Sequence, residues 1–151
     1  MIRLRRPLIE EVLPDEAHRA HLQARCCEAS KLAPNDSKIK SRWNSFTQGR
    51  GKDHDVGPCV VAAVGALAHG KCAYCESGRP ATVDHFWPKS RYPARLFDWD
   101  SLLPACRDCN ASKDTDFPLA NGVPLLLHPV SDEPLARLSW IEVPGGASWP
   151  P

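Results

Sequence analysis

Two Cys-x-x-Cys pairs, Cys72/Cys75 and Cys106/Cys109, constrain this chain more than any other feature of it. A two-residue gap lets both sulfurs of a knuckle face one metal, and zinc favours four thiolates in a tetrahedron. Thirty residues lie between the pairs, long for a finger yet enough for a hairpin and a loop. A redox Cys-x-x-Cys is the competing reading, but that motif normally occurs once, beside a βαβ pattern this sequence lacks. Four cysteine ligands leave a metal no open position, so the expected Zn²⁺ is a structural staple and not a catalyst.

The rest of the composition bounds the setting. With 151 residues the chain suits one domain with a modest core, helped by a metal. No apolar run approaches the roughly 20 residues that span a bilayer, and the basic start MIRLRRPLIE lacks the apolar stretch of a signal peptide. A cytoplasmic protein with no membrane partner is expected, its seven cysteines reduced. Cys26, Cys27 and Cys59, outside the two pairs, are expected as small buried apolar residues; a second metal site from His18, His21, Cys26 and Cys27 on a helix is the alternative.

Along the chain, Pro14-Asp15-Glu16 looks like a helix start within an apolar pattern over 8–31. Residues 33–57 are polar and contain glycine, which predicts a loop with a short ordered piece around Trp43 and Phe46. Pro58 opens a second helix striped by Val60, Val61, Val64, Leu67 and Ala68 and closed by Gly70. Ala81-Thr82-Val83 reads as a strand leading into Asp84-His85, and Asp108 or Asn110 as the start of a later helix. Val123–His128 reads as a buried strand or strap, and 139–151 as a flexible tail. The net charge of +1 is uneven: 11 Lys/Arg against 8 Asp/Glu in residues 1–70, 7 against 5 in 71–113, and 1 against 5 in 114–151. Strong binding of a polyanion therefore needs local clustering in the fold, or a partner.

The residues between and around the cysteines carry a resemblance. Val83-Asp84-His85-Phe86-Trp87-Pro88-Lys89-Ser90, Trp99-Asp100-Ser101-Leu102-Leu103 and Cys106-Arg107-Asp108-Cys109-Asn110-Ala111-Ser112-Lys113 resemble the HNH endonuclease motif over residues 71–119. The wider string, over roughly 58–138, is similar to the HNH nucleases of retron-associated and Septu-type anti-phage defence systems. The resemblance implies an α+β fold: a ββα-metal (His-Me finger) core with the four-cysteine zinc staple, preceded by α-helices. The implied division is 1–57 as an N-terminal helical and loop region, 58–138 as the nuclease domain, and the tail.

The implied chemistry is intelligible from the residue types. Hydrolysis of a phosphodiester needs a base for the attacking water and a cation for the charge on phosphorus and the leaving oxygen. A neutral imidazole, His85, suits the base. Asp84 and Asn110 offer the hard oxygen ligands that Mg²⁺ or Mn²⁺ prefers. Adjacent strand residues point to opposite sides, so Asp84 and His85 serve one centre only where the strand ends or bends. Ser101 stands where the family has an asparagine that braces the loop presenting the histidine. Lys113 is a supporting residue, and Lys89, Arg91 and Arg95 are candidate phosphate contacts. Trp87 is read equally as a base-stacking ring or a cap on the core. Tyr74 and Glu76, in the first knuckle, are read as structural.

The leading expectation is a metal-dependent endonuclease on nucleic acid, with DNA favoured, acting in phage defence beside a separately encoded ATPase subunit. The alternative is a zinc-stapled nucleic-acid-binding module, or an ATPase-docking subunit, with weak or no cleavage; Ser101 favours it.

Overall fold

The computed structural model describes residues 3–77 and 80–132. The fold is mixed α and β, with helices first and two small antiparallel sheets after them. The tail expected over 139–151 lies outside the described residues. No described helix is long and apolar enough to cross a membrane.

A short helix α1, Ile9–Val12, precedes α2, Glu16–Ala29. Asp15 caps α2, its Oδ1 accepting from the Ala17 N–H at 2.8 Å, which satisfies one of the orphan donors of the first turn. The loop expected over 33–57 is instead built around a ten-residue helix, α3, Lys38–Thr47. Ile39, Trp43 and Phe46 are all buried on it, at helical spacing, and that tertiary burial overrides the polar composition between them. Helix α4, Gly57–Ala66, carries Pro58 in its first turn and buries Val60 and Val64. It starts in contact with the end of α3. A Cβ at Gly57 would lie 1.8 Å from the Phe46 carbonyl oxygen, so only glycine permits this approach.

Strands β1, Thr82–His85, and β2, Leu102–Ala105, pair antiparallel, with Thr82 opposite Ala105 and His85 opposite Leu102. Helix α5, Arg107–Lys113, follows β2 directly and packs on β1. It begins earlier than Asp108 or Asn110, because Cys106 caps it through a sulfur that accepts from the Cys109 N–H at 3.4 Å. Asp114, with φ 38°, ends it.

Strand β2 is buried along its whole length and divides two cores. Leu102 joins Leu13, Leu22, Trp43, Phe46, Val60, Val64, Phe97 and Trp99, so residues before and after position 58 share one apolar cluster. Leu103, pointing the other way as strand alternation requires, joins Ala73, Phe86 and Phe117. The strap expected to be buried over 123–128 is corrected: β3, Leu119–Ala120, and β4, Val123–Pro124, form a peripheral hairpin, with Val123 57 % and Leu125 56 % exposed. A short apolar run does not by itself say which side of it meets the core. The expectation of buried Cys27 and Cys59 is likewise corrected, since both are exposed and Cys26 is half-buried.

Candidate metal centre and cleft

The four paired cysteines converge. Their sulfurs all lie within 4.8 Å of one another, with Cys75 and Cys106 Sγ 3.9 Å apart. A tetrahedral zinc with bonds of about 2.3 Å needs sulfur–sulfur edges of about 3.8 Å, so the set fits that ion. One half of the cluster comes from the turn 72–75, the other from the first turn of α5. The Ala73 N–H bonds the Pro104 carbonyl at 2.8 Å and so fastens the first knuckle to β2. Among the described residues no other group of three or more His, Cys, Asp or Glu side chains is placed to hold a metal. The alternative site near Cys26 does not form, because His21 turns to Asp53 at 2.8 Å.

A cleft of about 600 Å³ opens beside this cluster, and Asp84, His85 and Asn110 all line it. Strand β1 ends at His85, which lets neighbouring residues of one strand reach the same space. Asp84 is 4 % exposed, and both of its carboxylate oxygens accept hydrogen bonds. The Tyr74 hydroxyl donates to its Oδ2 at 2.5 Å, and Lys113 Nζ donates to its Oδ1 at 3.2 Å. Burial and the Asp84 charge hold the Tyr74 phenol far above its ordinary value, so it remains a donor. Lys113 also donates to the His85 carbonyl at 2.7 Å.

His85 is 2 % exposed, its ring edge-on to Trp43 with centroids 4.4 Å apart. Its Nε2 lies 3.0 Å from the Leu96 carbonyl. A carbonyl only accepts, so Nε2 carries the proton and Nδ1 is left with a lone pair. That buried Nδ1 has no hydrogen-bond partner among the described residues. Burial first, then the charges of Lys89 and Lys113, pushes the imidazole down to about 3, which keeps it neutral.

Asn110 lines the cleft and gives its Nδ2 to the Thr82 hydroxyl at 2.9 Å, which in turn donates to the Ala105 carbonyl. Asp84 and Asn110 thus present hard oxygen donors on one cavity, a set that fits Mg²⁺ or Mn²⁺. Ser101 is buried behind the loop that follows His85, its Oγ accepting from the Trp87 N–H at 3.3 Å and its carbonyl from the Phe86 N–H at 2.7 Å.

The remaining candidates separate. Lys89 lines the cleft. Arg91 instead donates to the Thr115 carbonyl at 3.2 Å, and Arg95 pairs with Asp98 at 2.5 Å. Trp87 packs among Tyr92 and Phe117, with the Arg95 guanidinium 5.7 Å from its ring centre. Part of the lining comes from a segment the motif does not contain: Asn35, Ser37, Lys40, Trp43 and Asn44, on and just before α3. Neither that lining nor the Tyr74–Asp84 bond is legible in the sequence. The signals that exist, a tyrosine between paired cysteines and a polar face on α3, carry no reference to Asp84.

Comparison with known proteins returns partial matches. Over 63 residues the chain is 36 % identical to the Septu protein PtuB of Bacillus thuringiensis, a match covering 38 % of this chain and 24 % of that protein. Over 73 residues it is 32 % identical to Protein ea31 of Escherichia phage lambda, covering 47 % of this chain and 25 % of that protein. No family model and no solved structure matches. The chain spans about a quarter of the length of these curated relatives, and over that stretch the similarity supports a relationship to a Septu protein.

Proposed function

We propose that this chain is a metal-dependent HNH endonuclease that hydrolyses phosphodiester bonds of nucleic acid, DNA first, as the effector of an anti-phage defence system with an ATPase partner. The observation that carries the reading is the unpartnered Nδ1 of His85, buried on the same cleft as Asp84 and Asn110. A buried nitrogen lone pair without a donor is costly unless something uses it. This reading assigns an attacking water to it. The chain order β1–β2–α5, with a four-cysteine cluster at its root, is consistent with the ββα core that the sequence resembles.

In this mechanism the Leu96 carbonyl fixes the His85 tautomer, and Nδ1 accepts the proton of the attacking water. Asp84 and Asn110 would hold a divalent cation, which would supply charge neutralisation at the phosphoryl oxygens. Lys89 and Lys40, which line the same cleft, face the phosphate backbone. Ser101 holds the loop after His85 through the Trp87 N–H, the bracing expected of the motif's asparagine.

One observation favours the alternative of a binding or ATPase-docking module with little cleavage. The Lys113 ammonium already neutralises Asp84, and its side chain is only 7 % exposed. The deciding assay incubates pure protein, alone and with a candidate ATPase partner, against plasmid DNA and total RNA in Mg²⁺, Mn²⁺ or EDTA. Cleavage that needs the cation and is lost in His85→Ala supports the nuclease. Binding without cleavage in every condition supports the alternative.

A further inference from the structure

Both halves of the cysteine cluster send a donor to one carboxylate. Tyr74, inside the first pair, donates to Asp84 Oδ2 at 2.5 Å; Lys113, at the far end of the helix that carries Cys106 and Cys109 at its start, donates to Oδ1 at 3.2 Å. We propose that Tyr74 is a positioning residue through which the four-cysteine cluster aligns the Asp84 carboxylate for a divalent cation. The inference rests on the nuclease reading only in taking Asp84 as a cation ligand.

Three features support it. An O–H···O⁻ separation of 2.5 Å is the length of a charge-assisted bond, roughly twice as strong as a neutral one. The residue is also held from behind: it lies between Cys72 and Cys75 in the chain, the Ala73 N–H ties the turn to β2, and the ring packs against the cluster of Phe86, Leu103 and Phe117. Its position is therefore set by the knuckle and not by its own rotamer freedom.

The two donors then differ in charge. Lys113 carries a full positive charge and opposes a cation at Asp84. Tyr74 is neutral, and a carboxylate has about four lone-pair sites, so its bond leaves room for a cation on the same group. Partners of this kind behind a ligating carboxylate fix its orientation, and losing one typically weakens metal binding about 10–100-fold.

The test is Mn²⁺ binding, by calorimetry or electron paramagnetic resonance, to zinc-loaded full chain. Tyr74→Phe removes only the hydroxyl, and Lys113→Met removes the charge at similar volume. The expected result is about 10–100-fold weaker Mn²⁺ binding in Tyr74→Phe with zinc content and melting temperature as in the wild type, while Lys113→Met binds as tightly or more tightly. Wild-type affinity in Tyr74→Phe overturns the proposal. So does equal weakening in both variants, which assigns the bonds to general structure, or loss of zinc in Tyr74→Phe, which makes the hydroxyl a fold element. Asp84→Asn serves as the reference: if it binds Mn²⁺ like the wild type, both this inference and the nuclease reading fall. A Tyr74 effect on Mn²⁺ in a protein that cuts no nucleic acid leaves the inference standing and removes the nuclease.

Discussion

The Trp43 indole meets the His85 imidazole edge-on, centroids 4.4 Å apart and planes at 74°. Forty-one residues of sequence lie between the two. This contact joins the N-terminal helices to the end of β1, and both rings line the cleft. Replacing Trp43 with Ala removes a nearly buried ring, for which losses of about 3–5 kcal/mol are typical. Urea denaturation is expected to show a loss of that size, and cleavage at saturating nucleic acid is expected to fall further than stability alone explains. Full activity in a folded Trp43→Ala chain would separate the helices from the chemistry.

His85 predicts an acid dependence. Its folded value near 3 lies below the ordinary value of 6.5, so the unfolded chain binds the extra proton between those limits. Its neutral form is favoured by folding; that stability is complete above about pH 6.5 and is lost as pH falls toward 3, at most about 1.4 kcal/mol per pH unit. Denaturant titrations from pH 8 to pH 4 should show a shallower loss in His85→Gln than in the wild type. In the same range, the cation-dependent rate should lack the fall near pH 6.5 of an ordinary histidine base. Identical stability slopes for the two proteins would place the titration elsewhere.

The cysteine cluster predicts a fold that depends on metal. Structural zinc contributes about 10–16 kcal/mol in small modules, comparable to the whole stability of a domain, about 5–15 kcal/mol. Pure protein is expected to carry one zinc per chain, and Cys109→Ser or a strong chelator to unfold the region around β1, β2 and α5. Elemental analysis with circular dichroism checks this. A folded, zinc-free wild type would remove the staple.

Lys40 lines the same cleft as Lys89, although the motif does not include it. Lys40→Ala is expected to weaken nucleic-acid binding across sequences and to reduce the slope of log K against log salt by about 0.9, the value for one phosphate contact on duplex DNA. An unchanged slope would make this lysine an ordinary solvated charge. Arg91 and Arg95, engaged with Thr115 and Asp98, should change that slope less when replaced.

The parts of this protein that could be read from its sequence are those whose chemistry demands a fixed local spacing. Paired cysteines two residues apart announce a shared metal, and their sulfurs do gather within 4.8 Å. Asp15 announces a helix start, because an N-cap is satisfied within its own turn. Asp84, His85 and Asn110 were singled out by the motif their surroundings resemble, and all three line one cleft. Other features had no local signature. Helix α3 was hidden in a polar stretch because its stability comes from burying Ile39, Trp43 and Phe46 against distant residues. Arg91, Arg95 and Trp87 had the right types for a polyanion surface, yet nearby carbonyls, a carboxylate and aromatic rings engage them. The sequence by itself determined which residues are of a type that can ligate a metal or accept a proton. Only the tertiary structure decided what surrounds them, with Trp43 and Lys40 lining the same cleft and Tyr74 and Lys113 bonded to Asp84. The reason is physical: ligand spacing is set by bond lengths along a few residues, whereas walls and donors are brought in by packing between segments far apart in the chain.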